Sequence, residues 1–132
     1  AAEYADSAGA DIINSSLGYT EYDAASQSYT YADMNGITAP VTIAADIAVD
    51  KGVLVINSAG NSGSGAWFYI GAPADGKNVL SVGAVDPTKM IAGFSSNGPT
   101  ADGRTKPDVV AQGGPAWIAK VNTGGFGFGF CE

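Results

Sequence analysis

The sequence predicts an α/β fold built on a parallel sheet, and three observations carry that expectation. Residues 53–56 (Val-Leu-Val-Ile) and 79–85 (Val-Leu-Ser-Val-Gly-Ala-Val) are apolar runs of strand length, as expected for strands inside a parallel sheet. Residues 11–16 form a third strand candidate. Between that strand and residue 53, apolar residues recur at helical spacing as Val41, Ala44, Ala45, Ile47 and Ala48. Strand, helix and strand in that order make a βαβ unit, with parallel strands and a right-handed crossover.

The elements follow in order. Residues 1–9 read as the last turns of a helix, closed by Gly9 as a left-handed C-cap. Residues 11–16 read as a short buried strand. Residues 18–36 are polar, contain an Asn35-Gly36 turn, and read as a long surface excursion. The next helix is expected over 38–51, with Thr38 as N-cap and Pro40 in the first turn, where its missing N–H does no harm. Lys51 and Gly52 close it with a favourable terminal charge and a glycine cap. Residues 53–58 then form a strand expected to be buried on both faces. Shorter β segments are expected around 91–94, 108–111 and 117–121. The end, Gly124-Gly-Phe-Gly-Phe-Gly-Phe-Cys-Glu132, is low in complexity and unlike everything before it. The expected organisation is one partial domain over 1–123, followed by a truncated or aberrant end over 124–132. Ala1 opening on a helix already under way suggests an internal piece of a longer protein.

Composition excludes several functions. The 132 residues carry 13 acidic and 6 basic side chains, a net charge of −7, no histidine and one cysteine, Cys131. Without histidine, no Ser-His-Asp or Cys-His catalysis runs inside this chain, because the general base is missing. Histidine-ligated and multi-cysteine metal sites are excluded as well. A single cysteine forms no internal disulfide. Phosphate binding needs clustered Lys and Arg, so the acidic balance argues against a nucleic-acid partner. No apolar run is long enough to span a bilayer, and no signal peptide is visible. Residues 1–50 hold eight acids and no base. Such a half is a solvated acidic surface or, more sharply, a cation-binding or base-preferring one.

In open parallel sheets, ligands bind beyond the carboxyl ends of the strands. Two such ends are visible, Ser15-Ser-Leu-Gly18 and Ser58-Ala-Gly-Asn-Ser-Gly63. Both are turns of small residues, where a ligand can approach backbone closely. On pattern alone they are equally well plain strand-to-loop turns.

Longer motifs narrow this. Asp11-Ile-Ile-Asn-Ser-Ser-Leu-Gly18 and Gly52-Val-Leu-Val-Ile-Asn-Ser-Ala-Gly-Asn61 are followed by Ala72-Pro-Ala-Asp-Gly76, Asn78-Val-Leu-Ser-Val-Gly-Ala-Val-Asp86, Phe94-Ser-Ser-Asn-Gly-Pro99 and Lys106-Pro-Asp-Val-Val-Ala111. In this order they resemble segments of the subtilisin-like serine proteases (subtilases, peptidase S8), over residues 1–115. The resemblance implies a three-layer, parallel-sheet subtilisin-like fold, with part of the sheet and of its flanking helices missing here. It implies that Asn61 is the side-chain donor of an oxyanion hole. It also implies that Ser16, Leu17 and Gly18 pair with substrate backbone and form one wall of the primary specificity pocket, with Ser58, Ala59 and Gly60 as the facing wall. Small residues on both walls leave room for a large substrate side chain. Pro73 matches a position that often carries a cis peptide. The loop 72–79 binds a monovalent or calcium ion through backbone carbonyls in relatives. No cofactor is required. The expected partner is a polypeptide substrate, in a monomeric parent enzyme that is extracellular or periplasmic.

The family's triad Asp and His precede the segment matching Ala1, and its nucleophile follows the segment matching 106–113. No serine here has a Gly-Thr-Ser or Gly-x-Ser-x-Gly context. A Ser–Lys pair would need Lys51, Lys77, Lys89, Lys106 or Lys120 buried beside a serine, which their helix-end and loop contexts disfavour. The expectation is therefore a serine endopeptidase in the parent protein, with this chain carrying substrate-binding segments but no activity alone. The alternatives are a non-catalytic peptide-binding homologue and a structural domain without a site.

Overall fold

A computed structural model describes residues 1–120 and 125–129. Helix α1 (Ala2–Ser7) leads into strand β1 (Ile12–Ser15), helix α2 (Pro40–Asp50), strand β2 (Leu54–Ser58), strand β3 (Leu80–Val85) and strand β4 (Val109–Gln112). The four strands form one parallel sheet in the order β1-β2-β3-β4. Among the described residues, no helix is long and apolar enough to cross a membrane.

Glycine ends both helices by the same device. After α1, Gly9 has φ +79 and donates its N–H to Asp6 O, while Ala10 donates to Ala5 O. After α2, Gly52 has φ +96 and donates to Val49 O, while Val53 donates to Ala48 O. These paired bonds satisfy carbonyls that a helix end leaves open, and the left-handed residue they require is inexpensive only as glycine.

The core lies between α2 and one face of the sheet. Ala45 and Ala48 pack with Val53, Val55 and Val79, joined by Ala2, Ile13 and Val49. The small alanines let the helix approach the sheet closely, and the valines supply the apolar area.

Several expectations are corrected. Helix α2 starts at Pro40 with Ala39 as N-cap, not at Thr38. Asn35 holds Thr38 instead: its amide donates to Thr38 Oγ1, and its oxygen accepts from the N–H groups of Ile37 and Thr38. The buried face of α2 is Thr42, Ala45 and Ala48, while Ile47 is 50% exposed. Strands β1 and β2 are not covered on both faces. Ile12 and its register partner Leu54 are exposed on the face away from α2. Residues 91–94 form no strand, because Ile91 makes only an isolated bridge to Val85. There the Asp86 carboxylate accepts from Thr88 N–H, Thr88 Oγ1 and Met90 N–H, closing a tight turn.

The excursion over 18–36 is anchored. Met34 is fully buried against Ala39 and Ala72, with Tyr29, Tyr31, Val41 and Trp67 around them. Near the end, strand β5 (Ala116–Lys120) pairs antiparallel with strand β6 (Gly125–Gly129). The Gly/Phe segment thus supplies a strand. Val121, Gly124 and Cys131 lie outside the described residues.

Candidate functional site

Strands β1 and β2 are parallel neighbours, with Ser15 beside Asn57. Their carboxyl ends therefore release two turns side by side. The Asn57 amide donates to Leu17 O at 3.1 Å and to Ser58 O at 2.8 Å, tying the first turn to the second. Gly60 then turns the chain with φ +109. Between the turns opens a cavity of about 210 Å³, lined by Ser16, Gly18, Ser58, Ala59, Gly60 and Asn61 together with Thr20, Ser62, Gly71 and Ser96.

The fold thus brings six of the seven expected site residues to one cavity. Leu17 is the exception. Its side chain is 59% exposed and borders a separate apolar groove with Ala1, Val41 and Pro73. Thr20, Gly71 and Ser96 were not singled out from the sequence. Tyr19 and Ala72 exchange backbone hydrogen bonds of 2.9 and 3.3 Å, which place Thr20 beside Gly71. A side chain at Gly71 would begin 3.1 Å from the Thr20 methyl. The available signals were the Phe94–Pro99 motif, which contains Ser96, and the Ala72–Gly76 motif, which Gly71 adjoins, but motif order does not say which residue faces the cavity. The Ala72–Pro73 peptide is cis.

Every residue lining the cavity is uncharged. None of the eight acids of residues 1–50 lines it. Asn61 is exposed, and its side chain makes no hydrogen bond among the described residues. It also borders a second groove, of about 290 Å³, over the sheet face away from α2, lined in part by Asn14, Ile56, Val82, Ala84 and Phe94. A free amide at the junction of a small-walled cavity and an open groove can donate to an oxygen placed between them.

The segment after Pro73 is held by a buried acid. Asp75 is fully buried. It accepts from Thr42 Oγ1 at 2.6 Å and from Gly36 N–H at 2.9 Å, and its own carbonyl accepts from Arg104 Nη2 at 2.8 Å. Arg104 Nε also donates to Asp102, whose pKa this hydrogen bond holds down to about 2. Burial pushes the Asp75 pKa above 3.8, against the opposing effect of its hydrogen bonds. An acid with a raised folded-state pKa favours folding most when protonated, so its ionisation costs stability as pH rises through that pKa. Asp75→Asn can keep both bonds, with its oxygen to Gly36 and its NH₂ to Thr42, while removing the charge. As pH falls toward 3.8, the wild type should therefore gain stability relative to Asp75→Asn. Parallel pH profiles in chemical denaturation would refute this assignment.

In the loop 72–79, four backbone carbonyls are already engaged. Carbonyls of Ala72, Pro73, Asp75 and Val79 accept from Tyr19 N–H, Gly76 N–H, Arg104 and Lys106 respectively, and the last two donors are positively charged. No group of three or more His, Cys, Asp or Glu among the described residues could hold a metal ion. Lys106, expected in an open loop, is buried at 6% exposure. Its ammonium donates to Val79 O and Asp108 Oδ2, both at 2.7 Å, and so faces a carboxylate.

The sequence profile of the subtilase family, peptidase S8, matches residues 1–127. The chain belongs to the subtilase family. Subtilisin DY of Bacillus licheniformis is 41% identical over 97 residues, which cover 73% of this chain and 30% of that protein. The thermophilic serine proteinase of Bacillus sp. strain AK1 is 37% identical over 110 residues, 83% of this chain and 21% of that protein. This subtilase chain thus spans less than a third of either relative. Among solved structures, the prenylagaramide maturation protease PagA superposes with a TM-score of 0.67 at 29% identity, over 96% of this chain and 39% of that one. The PatG macrocyclase in complex with peptide shares the fold, at TM-score 0.68 and 22% identity over 98% and 33% of the two chains.

Proposed function

We propose that this chain is the substrate-binding and oxyanion-holding part of a serine endopeptidase that cleaves peptide bonds through an acyl-enzyme. The observation that carries the reading is Asn61, an uncommitted amide at the junction of a small-walled cavity and an open groove. In this reading the substrate lies along residues 16–18, and the side chain preceding the scissile bond enters the cavity. Ser16 and Gly18 form one wall, with Ser58, Ala59 and Gly60 opposite. Leu17 contributes its backbone, which Asn57 holds in place. An uncharged cavity of this size favours uncharged side chains, including large ones.

Attack on the scissile carbonyl moves its π electrons onto oxygen, and the Asn61 NH₂ donates to the oxyanion that forms. A donor aimed at charge that exists only in the transition state lowers the barrier without tightening substrate binding. The nucleophile and its base come from the remainder of the protein, since this sequence has no histidine. The groove over the sheet is the open approach to Asn61. In the same reading the whole protein is exported and monomeric, and its chemistry requires no cofactor.

Active-site labelling tests this. The full-length protein should react with a serine-directed phosphonate and hydrolyse a peptide substrate. After digestion, the modified serine should fall outside residues 1–132. The 132-residue chain by itself should neither react nor turn over substrate. A folded full-length protein that binds peptides but takes no label would make it a non-catalytic homologue. A label on a serine within residues 1–132 would overturn the division of roles.

A further inference from the structure

We propose that Ser96 is a positioning residue for Asn61, clamping the chain on both sides of it; the inference rests on the oxyanion reading of Asn61. Ser96 is 1% exposed and lies 34 positions from Ser62 in sequence. Its N–H donates to Gly60 O at 2.9 Å. Its Oγ accepts from Ser62 N–H at 3.0 Å. The two bonds thus fall on the residues immediately before and after Asn61.

The rest of the turn fits the clamp. A side chain at Gly60 would begin 2.9 Å from Ser96 Oγ, so the hydroxyl occupies the space that a larger residue there would need. Gly63 N–H donates to Phe94 O at 2.9 Å, which fixes the far end of the turn. Ser96 itself sits on a held segment. Asn97 N–H donates to Phe68 O, and Asn97 O accepts from Ile70 N–H. The Asn61 side chain makes no hydrogen bond among the described residues, so its placement depends on its backbone. A donor must be aligned before charge develops if it is to stabilise that charge without reorganising. Removing the hydroxyl leaves the Ser62 N–H without its buried partner and frees one side of the turn.

Ser95 provides the contrast. It is equally buried, but its Oγ accepts from Ala84 N–H on β3 and donates to Ser96 O at 3.4 Å, and neither bond reaches residues 60–62. A purely structural role would make Ser95→Ala and Ser96→Ala alike.

The test is a double-mutant cycle in the full-length protein, reading kcat and KM separately on one peptide substrate. Ser96→Ala should lower kcat by about 10- to 100-fold, the scale of a small misplacement of a reacting or stabilising group. Ser95→Ala should lower the unfolding temperature with kcat within about twofold of wild type. In an Asn61→Leu background, Ser96→Ala should change kcat by no more than about twofold, because the group it aligns is gone. Should Ser96→Ala not fold, Ser96→Cys keeps the volume with a weaker acceptor and carries the same cycle. Losses that multiply fully in the double mutant would overturn the clamp and leave the role of Asn61 standing. Asn61→Leu with undiminished kcat would sink the oxyanion reading and this inference with it.

Discussion

Replacing Asn61 by leucine in the full-length protein lowers kcat by about 10²- to 10³-fold with KM nearly unchanged. That range is the one known for the oxyanion asparagine of subtilisin itself, and it is carried over here, not obtained from this geometry. The geometry supplies the direction. Leucine keeps the volume of the side chain but removes both N–H donors. Asn61 is exposed and makes no side-chain hydrogen bond among the described residues, so the fold loses nothing. The ground-state carbonyl carries little charge and loses little binding, while the oxyanion loses a donor. Steady-state kinetics with a parallel thermal melt separate the possibilities. A large rise in KM with kcat preserved would assign Asn61 to substrate binding alone.

Gly63→Ala is expected to be the most damaging single methyl group in the turn. Its Cβ would fall inside the van der Waals shell of the Ser95 carbonyl oxygen, with Gly93 O a further 3.1 Å contact. These are backbone atoms, so no rotamer change relieves the overlap. Either the turn carrying Asn61 or the segment carrying Ser96 must move. Overpacking costs about 1–3 kcal/mol, and a backbone overlap belongs at or above the top of that range. The matched control is Gly65→Ala, whose nearest neighbour, Ser62 O, lies at an ordinary 3.4 Å. That change should stay within about 0.5 kcal/mol. Denaturant unfolding of the two variants checks the contrast, and equal losses would show that the turn has room to relax.

Both predictions concern residues only a few positions apart, yet the sequence exposes them unequally. The place of Asn61 beyond the carboxyl end of a strand was legible because it stands in an ordered series of motifs there. The glycine stops at Gly9 and Gly52 were legible because a helix end must satisfy its own carbonyls within a few residues. The sheet was legible in the same way, since 53–56 is apolar without interruption and 79–85 is broken only by Ser81 and Gly83.

The misreadings came where a competing hydrogen-bond partner, distant or near, overruled the preference of the isolated segment. Ile47 has the better apolar credentials, but Thr42 is the buried residue, because Asp75, 33 positions away, takes its hydroxyl. Thr38 is a good N-cap in isolation, but Asn35 engages it first. Residues 91–94 look like a strand, but the Asp86 turn leaves Ile91 only one bridge to β3.

By itself, the sequence determined the chemistry this chain lacks and the order of its elements. Twenty kinds of side chain can be counted, and a missing histidine is missing in every fold. Capping and periodicity act over a few residues and survive without tertiary contacts. Only the tertiary structure decided which residues share the cavity. It seated Gly71 beside Thr20, turned the Leu17 side chain away, and set Ser96 behind Asn61. Those juxtapositions depend on backbone hydrogen bonds between segments far apart in the chain, such as Tyr19 with Ala72 and Gly60 with Ser96. No local pattern encodes such a pairing, because its free energy exists only once both segments are in place.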